Sequence, residues 1–374
     1  MTRKLLILAA CCVFTLSACG GDGDGNASSY PAGAEQQAAT LVEQAIKAGN
    51  LPGVVVGVWA PGQTPLIIER GVADRGTGRL RAASDPFRIA SISKTFTATA
   101  ILKLVDAGTL STSDKLATWY PNFPNADRIT VGDLLRMRSG IVDAADTAFL
   151  EEYYANPLLP LTPDDMIARS AARVAEFVAP NTTTRYNNTN FIILARIVEK
   201  ASRTDIRSYL AQHVFTPLGL KSTLYASSPD LASPLHGYSF EAASGQLVDR
   251  TRINPNPPGG AGAVVSTLED LHVFVRAICR GDLLKPATQR ERLTTDQFAD
   301  GPALVRYGEG LGKLGRFCGH NGTIFGFSTE MWYLPERDAV IVISVNRLDK
   351  DDQSQSTALF LKISKTLFPD LVDW

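Results

Sequence analysis

Past residue 20 the chain has no apolar run long enough to cross a bilayer. It has no long basic tract either, and its formal net charge is -1, which removes nucleic acid from the expected partners. Histidine is scarce, four in 374 residues, with no H-E-x-x-H string and no cysteine–histidine cluster, so neither a catalytic metal nor another cofactor is expected. Cysteine is scarce as well. Five are present, and Cys11, Cys12 and Cys19 fall in the first twenty residues, which leaves Cys279 and Cys318 for the folded part. In an oxidising compartment these two either pair or stay as buried thiols, since sequence does not set the distance between their Cα atoms.

What is present begins with an export layout. Arg3 and Lys4 precede the apolar run Leu5 to Leu16, and small residues follow, as in a secretory signal covering residues 1–18. Leu16-Ser17-Ala18-Cys19 resembles the bacterial lipobox, in which the cysteine is lipidated and becomes the first mature residue. Residues 19–33, rich in glycine and aspartate, read as a flexible tether with too little apolar surface to fold. The expected location is therefore the cell envelope, with the protein held to a membrane by a lipid on Cys19 and exposed on its periplasmic or extracellular side. No feature specifies an oligomer, and a monomer is assumed.

From residue 34 onward the length suffices for a large core or two interlocked lobes. Residues 35–48 carry Ala38, Leu41, Val42, Ala45 and Ile46 at helical spacing, and Gly49 ends the pattern. Two β runs, 54–59 and 66–70, read as a hairpin across Pro61-Gly62-Gln63. Helical signals follow at 91–107, 131–137, 163–175, 190–201 and 206–213, so roughly 100–260 reads as a helical lobe. The Pro- and Gly-rich stretch 255–262 marks a loop near its boundary. A helix at 267–280, capped by Ser266 or Thr267, precedes β runs at 319–327, 329–334 and 340–345 and a closing helix at about 354–367. Strands at both ends of the chain most economically form one antiparallel sheet with the helical lobe inserted between its halves, an α+β fold.

The chemistry is placed at Ser91-Ile92-Ser93-Lys94. At the start of a helix this spacing sets Ser91 and Lys94 on one face, with Phe96, Ala100, Ile101, Leu104 and Val105 as the buried stripe. A serine hydroxyl is a poor nucleophile and needs a base to take its proton, together with donors for the oxyanion. A lysine in a dry site at the positive end of a helix has its charged form disfavoured and can serve as that base. On its own the pattern reads more readily as a helix cap and a solvated lysine. Two further stretches change this. In Arg185-Tyr186-Asn187-Asn188, Tyr186 can relay protons and Asn188 can offer its amide to a substrate amide. In Gly319-His320-Asn321-Gly322-Thr323, a glycine at a strand edge lets substrate lie against the strand, next to an N–H for the oxyanion.

Taken in order, Ser91-x-x-Lys94, Tyr186-x-Asn188 and His320-x-Gly322 resemble the three motifs of the serine β-lactamase and penicillin-binding-protein superfamily, in its class C-like branch. The resemblance takes in Phe87 to Ala90, the Leu134 to Ile141 segment and the Gly319 to Phe327 strand, and spans roughly residues 34–368. It implies a β-lactamase/transpeptidase-like catalytic domain over 34–374. It also implies that Ser91 is acylated, that Lys94 and Tyr186 share proton transfer, and that Asn188 binds the substrate amide. The backbone N–H groups of Ser91 and Thr323 would form the oxyanion hole, and His320 would tune the proton network on the leaving-group side.

Histidine in the third motif is usual in the D-alanyl-D-alanine carboxypeptidases of that branch, so such a D,D-peptidase, taking a small peptide or a β-lactam, is the expected activity. An esterase or class C-like β-lactamase is the first alternative, and a non-catalytic cell-wall peptide-binding lipoprotein the second. Asn321 departs from the threonine usual at a carboxylate-binding position, which leaves Arg306 or Arg316 to supply that charge. Two weaker signals are set aside. Gly310 to Gly315 matches G-x-G-x-x-G but reads as a loop before the third motif, and the missing G-x-S-x-G argues against an α/β-hydrolase.

Overall fold

The computed structural model describes residues 30–241, 244–349, 355–372 and 374. The expected signal segment, Cys19 and residues 20–29 of the expected tether lie outside them. Residues 30–33 of that tether are described, and there the expectation fails. Tyr30 is buried edge-on to Phe368, ring centroids 5.8 Å apart, so the folded part takes in Tyr30 as well as the residues from Ala34 on.

In chain order the strands are β1 (Gly53–Trp59), β2 (Leu66–Gly71), β3 (Phe87–Arg88), β4 (Leu224–Tyr225), β5 (Tyr238–Glu241), β6 (Gln246–Asp249) and β7 (Val264–Ser266). They continue as β8 (Asp296–Gln297), β9 (Val305–Tyr307), β10 (Gly312–Leu314), β11 (Phe317–Ile324), β12 (Phe327–Leu334) and β13 (Ala339–Val345). Eight of them form one antiparallel sheet in the order β2-β1-β13-β12-β11-β10-β9-β8. N-terminal β1 and C-terminal β13 lie side by side, second and third in that order, with Val56 opposite Ile343. The two ends of the chain thus close one sheet, as the order of elements implied.

Both faces of this sheet are covered, which is why β1 and β13 read as unbroken apolar runs rather than as alternating ones. Val54, Val56 and Val58 join Val42, Phe360 and Ile363 under the Ala34–Gly49 and Gln355–Leu367 helices. Val55 and Trp59 point the other way, into the larger core with Leu271 and Phe274 of the Leu268–Arg280 helix. Thr267 caps that helix by accepting from the Asp270 N–H. Its last turn is tied to β11 by the Cys279–Cys318 disulfide, Cα–Cα 6.2 Å. Of the two states left open for this pair, the folded chain adopts the bridge.

Between β2 and β8 the chain builds the helical lobe. Its central pair is Ser93–Asp106 and Asn188–Ser202, packed on each other. Phe96 stacks on Phe274 and meets Phe215 edge-on, so the first of this pair is locked between the lobe and the sheet-covering helix. Two small sheets also occur in this stretch, β3-β7-β4 and β5-β6. Their strands are two to four residues long, too short for a period-2 pattern to register. The same limit hid β8, β9 and β10. Gly312–Leu314, inside the stretch read as a loop, is a strand paired to β9 and β11. The helices Thr147–Ala155 and Pro286–Leu293 were also not expected. No helix among the described residues is long and apolar enough to cross a membrane.

Candidate active site

The turn that carries Ser91 is set by what lies against it. Ala90 adopts the left-handed conformation, φ 50°, uncommon for a residue with a Cβ. It opens a 3₁₀ turn, Ala90–Ile92, that runs straight into the Ser93–Asp106 helix. Strand β11 passes this turn at Gly322. A Cβ there would stand 2.2 Å from the Ile89 carbonyl oxygen and 3.1 Å from the Ser91 nitrogen. Glycine is required at that point because the strand backbone is in contact with the nucleophile turn. Beyond Gly319, β10 no longer pairs with β11, and the Ser91 turn occupies the edge that β10 leaves.

Lys94, one turn along the helix, is 0 % exposed. Its Nζ lies 2.9 Å from Ser91 Oγ, 2.8 Å from Asn188 Oδ1 and 3.1 Å from the carbonyl oxygen of Ala261. Burial pulls its pKa down from the ordinary lysine value to about 7, with the Asp143 carboxylate working in the opposite sense. A neutral amine has two N–H bonds and one lone pair. Asn188 and Ala261 present only oxygen acceptors and take the two hydrogens, so the lone pair faces the Ser91 hydroxyl.

Each of those acceptors is held in turn. Asn188 donates through Nδ2 to Asp143 Oδ2 at 2.9 Å, and the Asn188 backbone N–H donates to the same oxygen at 3.0 Å. Thr189 Oγ1 donates to the other carboxylate oxygen of Asp143 at 3.2 Å. Ala261 is placed by the loop before it. A Cβ on Gly260 would meet Ala195 Cβ at 2.4 Å and the Phe191 carbonyl at 2.5 Å. Thr97 Oγ1 donates to the Gly260 carbonyl at 2.8 Å, pinning the loop between the two central helices. The Pro- and Gly-rich stretch expected as a lobe boundary is therefore the floor of the site.

Tyr186 is 42 % exposed, yet its hydroxyl end turns inward to hydrogen-bond with Ser91. Burial of that hydroxyl raises its pKa above the usual tyrosine value, the Ser91 hydrogen bond opposing, so it stays protonated at neutral pH. Lys94 Nζ lies 4.8 Å from the Tyr186 ring centroid. His320 sits behind Tyr186, ring centroids 6.4 Å apart, and is buried. Its Nδ1–H donates to the Asn321 carbonyl at 2.5 Å, because a carbonyl can only accept. Nε2 is then the acceptor for the Tyr307 hydroxyl at 3.3 Å. Burial first, then the neighbouring Lys94, lowers the His320 pKa to about 3, so the imidazole is neutral at neutral pH.

Ser91, Tyr186, Asn188 and Thr323 border one cavity of about 390 Å³, with Lys94 beneath it and Gly322 against the Ser91 turn. Asn321 is exposed and does not border the cavity. Asn188 does border it, but its amide is engaged by Lys94 and Asp143, so it positions the lysine as well as facing substrate. The two arginines suggested for a carboxylate are misplaced. Arg306, on β9, donates to the Thr295 carbonyl at 2.6 Å, and Arg316 pairs with Glu336 at the β10–β11 turn, at the far end of β11 from Gly322. Closeness in sequence to the third motif does not bring either into the cavity. Asp143 and Tyr307 are functional candidates that sequence reading missed. The only signal for Asp143 is its position just past Ser139-Gly140, and Tyr307 has none. Among the described residues no group of three or more His, Cys, Asp or Glu side chains is arranged to hold a metal ion.

A protein-family profile described as Beta-lactamase matches residues 38–362. Penicillin-binding protein 4* of Bacillus subtilis (strain 168) is 27 % identical over 317 residues, covering 79 % of this chain and 67 % of that protein. A D-aminopeptidase of Brucella canis is 27 % identical over 302 residues, covering 79 % of this chain but only 56 % of its own length. Among solved structures, a D-stereospecific amidohydrolase from Streptomyces sp. superposes with a TM-score of 0.76 at 26 % identity, covering 88 % of this chain and 98 % of that one. With the family profile spanning most of the folded chain, and a serine–lysine pair at the point where the lobe meets the sheet, the chain belongs to the Beta-lactamase family and is a serine hydrolase of the β-lactamase/penicillin-binding-protein fold.

Proposed function

We propose that the protein hydrolyses an amide or ester through an acyl-enzyme on Ser91. The observation that carries this is the position of Lys94 Nζ, 2.9 Å from Ser91 Oγ, with the Asn188 and Ala261 carbonyl oxygens at 2.8 and 3.1 Å to take the hydrogens of the neutral amine and leave its lone pair for the hydroxyl proton. In acylation Ser91 Oγ bonds to the substrate carbonyl carbon while its proton passes to Lys94 Nζ. The leaving group departs with a proton relayed through the neutral Tyr186 hydroxyl, and the backbone N–H groups of Ser91 and Thr323 hold the oxyanion. Water then cleaves the acyl ester by the reverse proton path and restores the serine.

The expected D-alanyl-D-alanine carboxypeptidase has to recognise a free carboxylate. No described residue bordering the cavity is charged, and neither Arg306 nor Arg316 reaches it. With both of the expected arginines engaged elsewhere, the reading extends to amides and esters without a leaving-group carboxylate, and the names of the D-aminopeptidase and D-stereospecific amidohydrolase relatives suggest D-configured amides among them. Export and a lipid on Cys19 belong to the same reading, supported by Arg3, Lys4 and the lipobox-like Leu16 to Cys19.

Intact-protein mass spectrometry after treatment with a fluorophosphonate tests the chemistry. One adduct, mapped to Ser91 and absent from Ser91→Ala, is expected. An unlabelled wild-type protein that still binds cell-wall peptides would establish the non-catalytic binding reading instead.

A further inference from the structure

Strand β11 gives the cleft two unlike ends. Gly322 touches the Ser91 turn. Two residues back, His320 packs against Tyr186 and Tyr307, at the end where protons move. Three residues on, Phe325 packs against Tyr154 and Tyr153, ring centroids 4.0 and 4.7 Å apart. A leaving group collects its proton from Lys94 and Tyr186, so it exits towards the His320 end. The group that stays on Ser91 is left with the Phe325 end.

That end is apolar and built. From Ser91 the cavity is lined by Ile324 and Phe325, by Phe149, Leu150 and Tyr154 of the Thr147–Ala155 helix, and by Met166. Phe149, Met166 and Phe325 are buried, Leu150 is 38 % exposed at the surface, and the Tyr153 hydroxyl fastens the helix by donating to the Asn254 carbonyl at 2.5 Å. None of the described residues bordering the cavity is charged. A volume of about 390 Å³ lies in the range that takes a small organic ligand. An ionic acyl group would lose its hydration there without a counter-charge.

Resting on the acyl-enzyme reading above, we infer that this aromatic end is an acyl-group pocket, and that the substrates are amides or esters of uncharged, bulky acyl groups, arylalkyl or medium-chain alkyl. Burying each added methylene gains about 0.8 kcal/mol, close to a fourfold rise in kcat/KM per carbon until the pocket is full.

The test holds the leaving group constant. The full chain is assayed with p-nitrophenyl acetate, butyrate, hexanoate, phenylacetate and monosuccinate. kcat/KM is expected to climb at least tenfold from acetate to hexanoate or phenylacetate, and to fall below the acetate value for the anionic succinate. Leu150→Lys is expected to remove most of the climb and to raise succinate turnover. A flat or falling ladder, or succinate cleaved as fast as butyrate by the wild type, overturns the acyl pocket while leaving Ser91 chemistry standing. No turnover of any ester, together with no fluorophosphonate adduct on Ser91, removes the acyl-enzyme reading and this inference with it.

Discussion

The amine of Lys94 and the side-chain carbonyl of Asn188 stand 2.8 Å apart, and this contact decides which way the lysine's lone pair faces. Asn188 can hold it there only because Asp143 grips the other end of the amide, at 2.9 Å.

Asp143→Asn therefore acts at a distance from the nucleophile. Losing the carboxylate loosens Asn188 and is expected to lower kcat on the order of 10- to 100-fold. Asp143 is also the charge that props up the Lys94 pKa, so the acid limb of the pH–rate profile moves to lower pH. A steady-state profile of the variant beside the wild type reads both effects. A fall in kcat with the limb unmoved would mean that Asp143 only supports the fold.

For the wild type, the rate follows the neutral form of Lys94. With its pKa drawn down to about 7, kcat/KM on a neutral ester is expected to drop about tenfold per pH unit below that point. A flat profile from pH 5 to 9 contradicts Lys94 as the base. The same shift links to stability. An unfolded lysine stays protonated to about pH 10.4, so folding releases a proton between roughly pH 7 and 10. Wild-type stability, measured against Lys94→Met by urea unfolding, is expected to rise across that window and to show no further relative change below pH 6.

Gly322→Ala puts a methyl group 2.2 Å from the Ile89 carbonyl, inside any permitted contact. Either β11 or the Ser91 turn has to move. Fluorophosphonate labelling of Ser91 is expected to slow by about 100-fold or more, the penalty for misplacing a reacting group by about 1 Å. Circular dichroism is expected to remain native, since the rest of the sheet is untouched.

The Cys279–Cys318 bridge closes a sequence separation of 39 residues. On the chain-entropy estimate, its removal in the double serine variant costs about 4 kcal/mol. A lower urea midpoint with an unchanged pH optimum is expected, because the bridge ties the Leu268–Arg280 helix to the start of β11 and not to the nucleophile turn.

Local strings were readable where the chemistry is local. Ser91 and Lys94 are one helical turn apart, and the helix that joins them is short-range structure. The apolar runs of β1 and β13 announced the sheet because both of its faces are buried. Two- and three-residue strands such as β8 and β10 were not readable, since they exist only by pairing with a neighbour. Arg306 and Arg316 were misjudged because a strand carries residues some 3.3 Å further off at each step, whatever their nearness in sequence.

By itself the amino-acid sequence determined the longer helices and the strands β1, β2, β11, β12 and β13, the serine–lysine spacing and the string of residue types at the second and third motifs. These are matters of periodicity and local backbone geometry. Only the tertiary structure decided that Asp143, Ala261 and Tyr307, remote from one another along the chain, would hold Asn188, Lys94 and His320. It also decided that none of the described residues bordering the cavity would be charged. A lysine becomes a base through desolvation and through the acceptors that claim its hydrogens, and both are supplied by segments that meet only when the lobe closes on the sheet.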